Sequence, residues 1–300
     1  MQADFDALLE RHRAGEGWAP LARAITMIEN TPPWDLQVPA SDNSAHIVGI
    51  TGPPGAGKST LTGRLIEAFS DAGARVAVLA IDPSSPISGG AVLGDRVRME
   101  SSMLGRPQVF VRSLASRGAH GAVAAATRNA ARLLEASGSF DLIVIETVGA
   151  GQTEVAVAGL ADTVVLVTVP GLGDAVQAIK AGLMEVANIV VVNMADRPGT
   201  PETVRHLRLS LGRGLVIKQT IATDGTGVHE LRMELVRRWD ELVLSRQLAA
   251  VRLRKQVTEA TLVAEEWIRS CAGNGGVARP ENLKQAVKEI LEEAADKWEA

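Results

Sequence analysis

The nine residues Gly52-Pro53-Pro54-Gly55-Ala56-Gly57-Lys58-Ser59-Thr60 follow the β-branched run His46–Thr51 and precede a helical pattern. A strand, a glycine-rich loop and a helix therefore stand in the order that a phosphate cradle requires. The glycines let backbone N–H groups turn inward around phosphate oxygens, and the following helix adds its positive N-terminal dipole. In this reading Gly55, Ala56 and Gly57 form the cradle, Lys58 supplies a point charge for the β and γ phosphates, and Ser59, with Thr60 beside it, offers a hydroxyl to Mg2+. The plain alternative, a glycine-rich structural turn, does not account for the placement between strand and helix.

Outward from this loop, short β-branched runs alternate with longer helical patterns. The runs are His46–Thr51, Arg75–Ile81, Gln108–Val111, Asp141–Glu146, Thr163–Val169, Ile189–Asn193 and Val216–Ile221. Several are almost continuously apolar, as expected of strands covered on both faces, so the pattern predicts a doubly wound α/β domain with a mostly parallel sheet. Ahead of it, Phe5, Leu8 and Leu9, then Leu21, Ile25 and Ile28, recur at helical steps, and a Pro-rich linker runs from Thr31 to Ser44. Beyond Gly227 the pattern is helical only. The expected organisation is an N-terminal helical arm and linker over 1–44, a nucleotide-binding domain over 45–227 and a C-terminal helical extension over 228–300.

Composition narrows the function. With 31 Lys plus Arg against 35 Asp plus Glu, the net charge is −4, which offers no general basic surface for nucleic acid. The aromatics are 5 Trp, 4 Phe and no Tyr, too few for base-stacking platforms, so the core is built from aliphatic residues. One cysteine, Cys271, cannot form an intrachain disulfide, which points to a reducing compartment. No apolar run approaches the roughly 20 residues of a membrane helix. The start of the chain mixes Asp4, Asp6 and Glu10 with Arg11 and Arg13, unlike a secretory or transit segment. No membrane is expected as partner, and the expected location is the cytoplasm. The five histidines are scattered without a Cys cluster, which disfavours a zinc or nickel site. Between Arg232 and Lys255, seven bases against three acids form either a face for an acidic partner or a solvated helix face.

Hydrolysis of a nucleotide also needs acidic groups at strand ends. The run 141–146 ends in Glu146, a candidate metal ligand, and Gly149 lies in the glycine-bearing loop after it that could sense the γ-phosphate. A second strand ends in Asp82 before Pro83, where an ordinary Asp-Pro turn is the other reading. Asp95 and Arg96 follow the flexible Ser88-Gly89-Gly90 and could close over a triphosphate or simply pair at a helix start. At the base end, Asn193 and Asp196 stand three apart after a strand. Asp196 could accept both hydrogen bonds of guanine's N1–H and exocyclic amine, a pair adenine cannot donate, or could cap a helix. Thr223, in Thr223-Asp224-Gly225-Thr226-Gly227, offers a backbone wall for the base.

Taken together these residues resemble the MeaB/ArgK branch of the SIMIBI class of P-loop GTPases, which includes the methylmalonic aciduria type A proteins. The resemblance runs from the arm to about Asp196. It is carried by Gly49–Thr60, Ile81-Asp82-Pro83-Ser84-Ser85, Gly94-Asp95-Arg96-Val97-Arg98-Met99, Arg112-Ser113, Ser116-Arg117-Gly118, Glu146-Thr147-Val148-Gly149-Ala150-Gly151-Gln152 and Gly173–Gly182. It implies that Lys58 and Ser59 bind phosphate and Mg2+, that Asp82, Asp95 and Glu146 form the acidic metal and catalytic set beside Lys58, and that Gly149–Gln152 and Gly173–Gly182 are switches.

The same resemblance implies GTP and GDP as ligands, an adenosylcobalamin-dependent acyl-CoA mutase as client, and a homodimer made through the C-terminal helices. One departure stands out: the family usually has Asn-Lys-x-Asp at the base site, and here Met194 replaces the Lys. Met keeps the apolar packing of the Lys stem and loses its charge. Two other functions share the phosphate loop. A small-molecule kinase would need an acceptor pocket, and a nickel-delivery GTPase would need a ligand cluster.

Overall fold

The computed structural model describes residues 1–40, 44–82, 105–115, 120–147, 160–171, 186–211 and 215–253, with 255 and 264. Asp95, Gly149, the stretch 173–182 and most of the C-terminal extension lie outside these residues. Seven strands form one sheet: β1 (His46–Thr51), β2 (Val76–Asp82), β3 (Val109–Ala115), β4 (Leu142–Thr147), β5 (Thr163–Thr168), β6 (Ile189–Asn193) and β7 (Val216–Thr220). Their order is β3-β2-β4-β1-β5-β6-β7, and every pairing is parallel. All seven expected runs are strands; β3 continues four residues past the expected Val111 to Ala115, in register with the end of β2.

Helices with both ends described are α1 (Gln2–Arg13), α2 (Ala19–Asn30), α3 (Lys58–Asp71), α4 (His120–Ala136), α5 (Thr200–Leu211) and α6 (Val228–Leu244), and residues 247–253 are helical as well. Strand alternation sorts the core into two faces. Val48, Ile50, Val78 and Val144 pack with Leu61, Leu65 and Phe69 of α3 and Leu231 and Leu235 of α6. The alternate residues Ile47, Leu79, Ile143 and Ile145 pack with Leu133 of α4 and with Phe5, Leu21 and Ile25 of the N-terminal arm. α5 covers the same face farther along, through Val204 and Leu207 against Val190 and Val192. The sheet is thus doubly wound, and α1 and α2 share its core.

Polar anchors hold the arm in place. Trp18 stacks on Phe140 with ring centroids 5.1 Å apart, and its indole donates to the Pro107 carbonyl at 3.1 Å. Arg112, on β3, pairs with Glu29 of α2 at 2.8 Å. The guanidinium is therefore engaged in holding the arm at the edge of the sheet.

The chain forms two compact units, Met1–Arg252 and Leu253–Ala300. The last residue of the first unit closes the amino-terminal edge of the sheet. Arg252 donates to both carboxylate oxygens of Asp162, at 3.2 and 2.8 Å, to Glu135 at 2.7 Å and to the Ala45 carbonyl at 2.9 Å. Asp162 is 1% exposed and also accepts from the Ile47 amide. Removing one partner of so buried a pair strands the other, a cost of about 3 kcal/mol once the partial exposure of Arg252 is allowed for. Arg252→Met is expected to lower the unfolding free energy measured in urea by that amount, while Arg11→Met, at an exposed pair with Glu16, changes it little.

Candidate functional site

Because all strands run the same way, their carboxyl ends share one edge, where ligands of open α/β sheets bind. β1 leads there into the glycine-rich loop and α3. Gly52 has φ +143, and a Cβ on it would overlap the Val167 carbonyl oxygen of β5, so only glycine lets the loop leave the sheet this close to its neighbour. Gly57, at φ +82, precedes the first residue of α3, and a Cβ there would come within 2.5 Å of the Asn193 amide nitrogen. Lys58 is buried at 6% exposure, and its ammonium donates to the carbonyls of Gly52 at 2.8 Å and Pro53 at 3.1 Å. Ser59 is half-buried and Thr60 exposed, both on the first turn of α3.

The acidic candidates arrive from adjacent strands. Glu146 pairs in register with Ile50 of β1 on one side and Ala80 of β2 on the other. It is 1% exposed, and alternation with Val144 puts it on the α3 face, the side from which Lys58 and Ser59 come. Asp82 ends β2 two positions beyond the residue paired with Glu146. Thr147 donates to the Thr51 hydroxyl at 3.3 Å, joining the ends of β4 and β1. A hydroxyl and carboxylates are oxygen donors that suit Mg2+, which keeps several waters and needs only one or two protein ligands beside substrate phosphates.

The base-end candidates come from β6 and β7. Asn193 is 2% exposed and engaged at both its nitrogen and its oxygen: its amide donates to the Ala56 carbonyl at 2.9 Å, and its carbonyl accepts from the Thr220 hydroxyl at 3.0 Å and the Ala222 amide at 3.1 Å. One side chain thus ties the phosphate loop to the loop after β7. Met194 adopts φ +53 and packs against the same apolar cluster as Ala56. Asp196 follows in a tight turn closed by the Arg197 amide on the Met194 carbonyl at 3.0 Å. It is exposed, and it does not cap α5, which begins four residues later at Thr200. Thr223 lies in a loop closed by the Asp224 and Gly225 amides on the Ile221 carbonyl.

Lys58, Ser59, Glu146, Asn193, Asp196 and Thr223 therefore gather at one edge, with the backbone of Asp82, whereas Asp95 and Gly149 lie outside the described residues. Sequence reasoning missed Arg64 of α3, whose side chain reaches the Thr223 loop. Its separation of 158 and 159 residues from the two acceptors left no local signal. Within the basic stretch 232–255, Arg237 pairs with Glu234 and Glu241, and Arg252 with Asp162 and Glu135. A cavity of about 220 Å3 opens at the opposite, amino-terminal edge, between His46, Phe69 and Trp239, and takes no part in this site.

The model of the family described as methylmalonyl-CoA mutase-associated GTPase MeaB matches residues 21–275. The chain belongs to the MeaB family. A protein of Pyrococcus abyssi, named provisionally as a GTPase, is 42% identical, with 99% of this chain and 94% of that protein aligned. GTPase ArgK of Escherichia coli is 41% identical over 65% of this chain and 60% of its own length. The mouse mitochondrial methylmalonic aciduria type A homolog is 38% identical over 68% of this chain and 52% of that one. Among solved structures, one titled as a LAO/AO transport system kinase aligns over 100% of this chain and 99% of its own, with TM-score 0.65 and 27% identity. For this MeaB-family chain the Asn193 tie yields a direct test. Asn193→Ala leaves three polar groups unmatched and is expected to cost about 2–4 kcal/mol in urea unfolding. It should also raise the KM for guanine nucleotide, because both loops it joins lose their reference.

Proposed function

We propose that this protein is a Mg2+-dependent GTPase that times the docking and cofactor loading of an adenosylcobalamin-dependent acyl-CoA mutase, acting as a homodimer in the cytoplasm. Family membership supports GTP hydrolysis. The observation that supports the guanine reading is that Asn193 ties the phosphate loop to the loop after β7, while the exposed Asp196, the carboxylate that would select guanine, follows it by three residues.

In the proposed reaction water attacks the γ-phosphorus of GTP, the bond from that phosphorus to the β–γ bridging oxygen breaks, and GDP and phosphate leave. The Gly55–Gly57 amides and Lys58 hold the phosphates and take up the charge that grows on the leaving oxygen. Ser59, Asp82, Asp95 and Glu146 would hold Mg2+, which neutralises the β and γ oxygens when bound. Glu146 and Asp95 would orient the attacking water. Asp196 pairs with the N1–H and amino group of guanine, Met194 packs beside it, and Thr223 walls the base. Turnover is slow without a partner, since no arginine finger is evident in the sequence. The client assignment draws on the family's description, and the exchange of loop order with nucleotide state is the means by which hydrolysis would set timing.

Lys58→Ala is expected to reduce kcat/KM for GTP by at least about 100-fold with the fold intact by circular dichroism, and EDTA should abolish turnover. Equal activity in the variant, or in EDTA, removes the hydrolase mechanism. Pull-down with a cobalamin mutase is expected to depend on whether GDP or a non-hydrolysable GTP analogue is present, and identical recovery in both states removes the timing role.

A further inference from the structure

We propose that Arg64 is a positioning residue for base recognition, setting the orientation of the Ala222–Thr223 peptide from the far side of the loop. The inference rests on the guanine-nucleotide reading above and concerns how that specificity is built.

Arg64 lies on α3 six residues after Lys58, so one helix begins at the phosphates and reaches the base end. Its Nε donates to the Ala222 carbonyl at 3.2 Å and its Nη2 to the Thr223 carbonyl at 2.7 Å, while Nη1 is held by Glu67 at 3.0 Å. Both carbonyls thus face the guanidinium. The peptide bonds are trans, so fixing a carbonyl fixes the amide N–H of the same plane in the opposite direction.

The amides around this peptide are committed. Ala222 donates to Asn193, Asp224 and Gly225 donate to Ile221, and Thr226 donates to the Asp224 carboxylate. The Thr223 N–H is the exception in this run: it donates to no acceptor among the described residues, and the residue is exposed. A donor held this way fits the O6 carbonyl of guanine and opposes the 6-amino group of adenine. A cation on the carbonyl side also polarises the peptide and strengthens the N–H as a donor. Met194, the residue on the other side of the base loops, carries no charge, so the cationic tie on this loop comes from α3.

The test compares wild type, Arg64→Met and Arg64→Lys as full chains in steady-state hydrolysis of GTP and of 6-thio-GTP, whose sulfur is a poor acceptor. Arg64→Met is expected to raise the KM for GTP about tenfold with a much smaller change in kcat. It should also shrink the preference for GTP over 6-thio-GTP at least about threefold. Arg64→Lys, which can still reach one carbonyl, should restore part of the KM.

An unchanged KM, or a loss confined to kcat with the preference for GTP over 6-thio-GTP intact, overturns the inference. If Arg64→Met fails to fold, Arg64→Lys decides by the same two ratios. A wild-type protein that hydrolyses ATP as readily as GTP overturns the guanine reading and this inference with it. An intact wild-type preference with an indifferent Arg64→Met overturns the inference alone.

Discussion

The carboxamide of Asn193 is the joint on which the rest of the site depends. It is buried, and each of its polar atoms is satisfied by a group from another element: the phosphate-loop backbone on one side, and β7 and the loop after it on the other. Burial makes each bond hard to replace. The close approach of Gly57 to this amide follows from the same geometry, since a side chain at 57 would displace the group that fixes the loop. The parallel sheet brings loops to a common edge. Asn193 fixes the distance between them.

Much of the fold could be read before any coordinate was available, because fully buried parallel strands announce themselves as apolar runs and the phosphate loop fixes where one of them ends. The end of β3 was not legible: Arg112 and Ser113 interrupt its apolar pattern, and the strand continues because Arg112 finds Glu29 on α2 and the register with β2 is kept. The place of Asn193 in the site was legible from its spacing to Asp196, but its structural role was not, since Thr220 and Ala222 lie 27 and 29 residues away. Arg64 and Arg252 were invisible for the same reason. A surface-type residue on a helix gives no sign of a carbonyl or carboxylate waiting more than 80 residues off.

Met194 shows how a local exchange can be absorbed. Its left-handed backbone is uncommon for a side chain of this kind and sits in the turn that presents Asp196, while its methyl group packs toward the phosphate loop. The turn is held by backbone bonds from Ala195 to Thr220 and from Arg197 to Met194, and by Thr200 on the carbonyls of Ala195 and Arg197. None of these bonds uses the side chain at 194, so the geometry of the turn does not require a lysine there.

The clamp at Arg252 has a consequence for biosynthesis. Its deepest acceptor, Asp162, precedes it by 90 residues in the chain. At roughly 5–20 residues per second, the ribosome delivers the cation about 5–18 s after the acid. During that interval β1 and β5 can pair while the carboxylate at their origin has no guanidinium to meet it. The bonds that seal this edge are therefore completed only once the final residue of the first unit has been made.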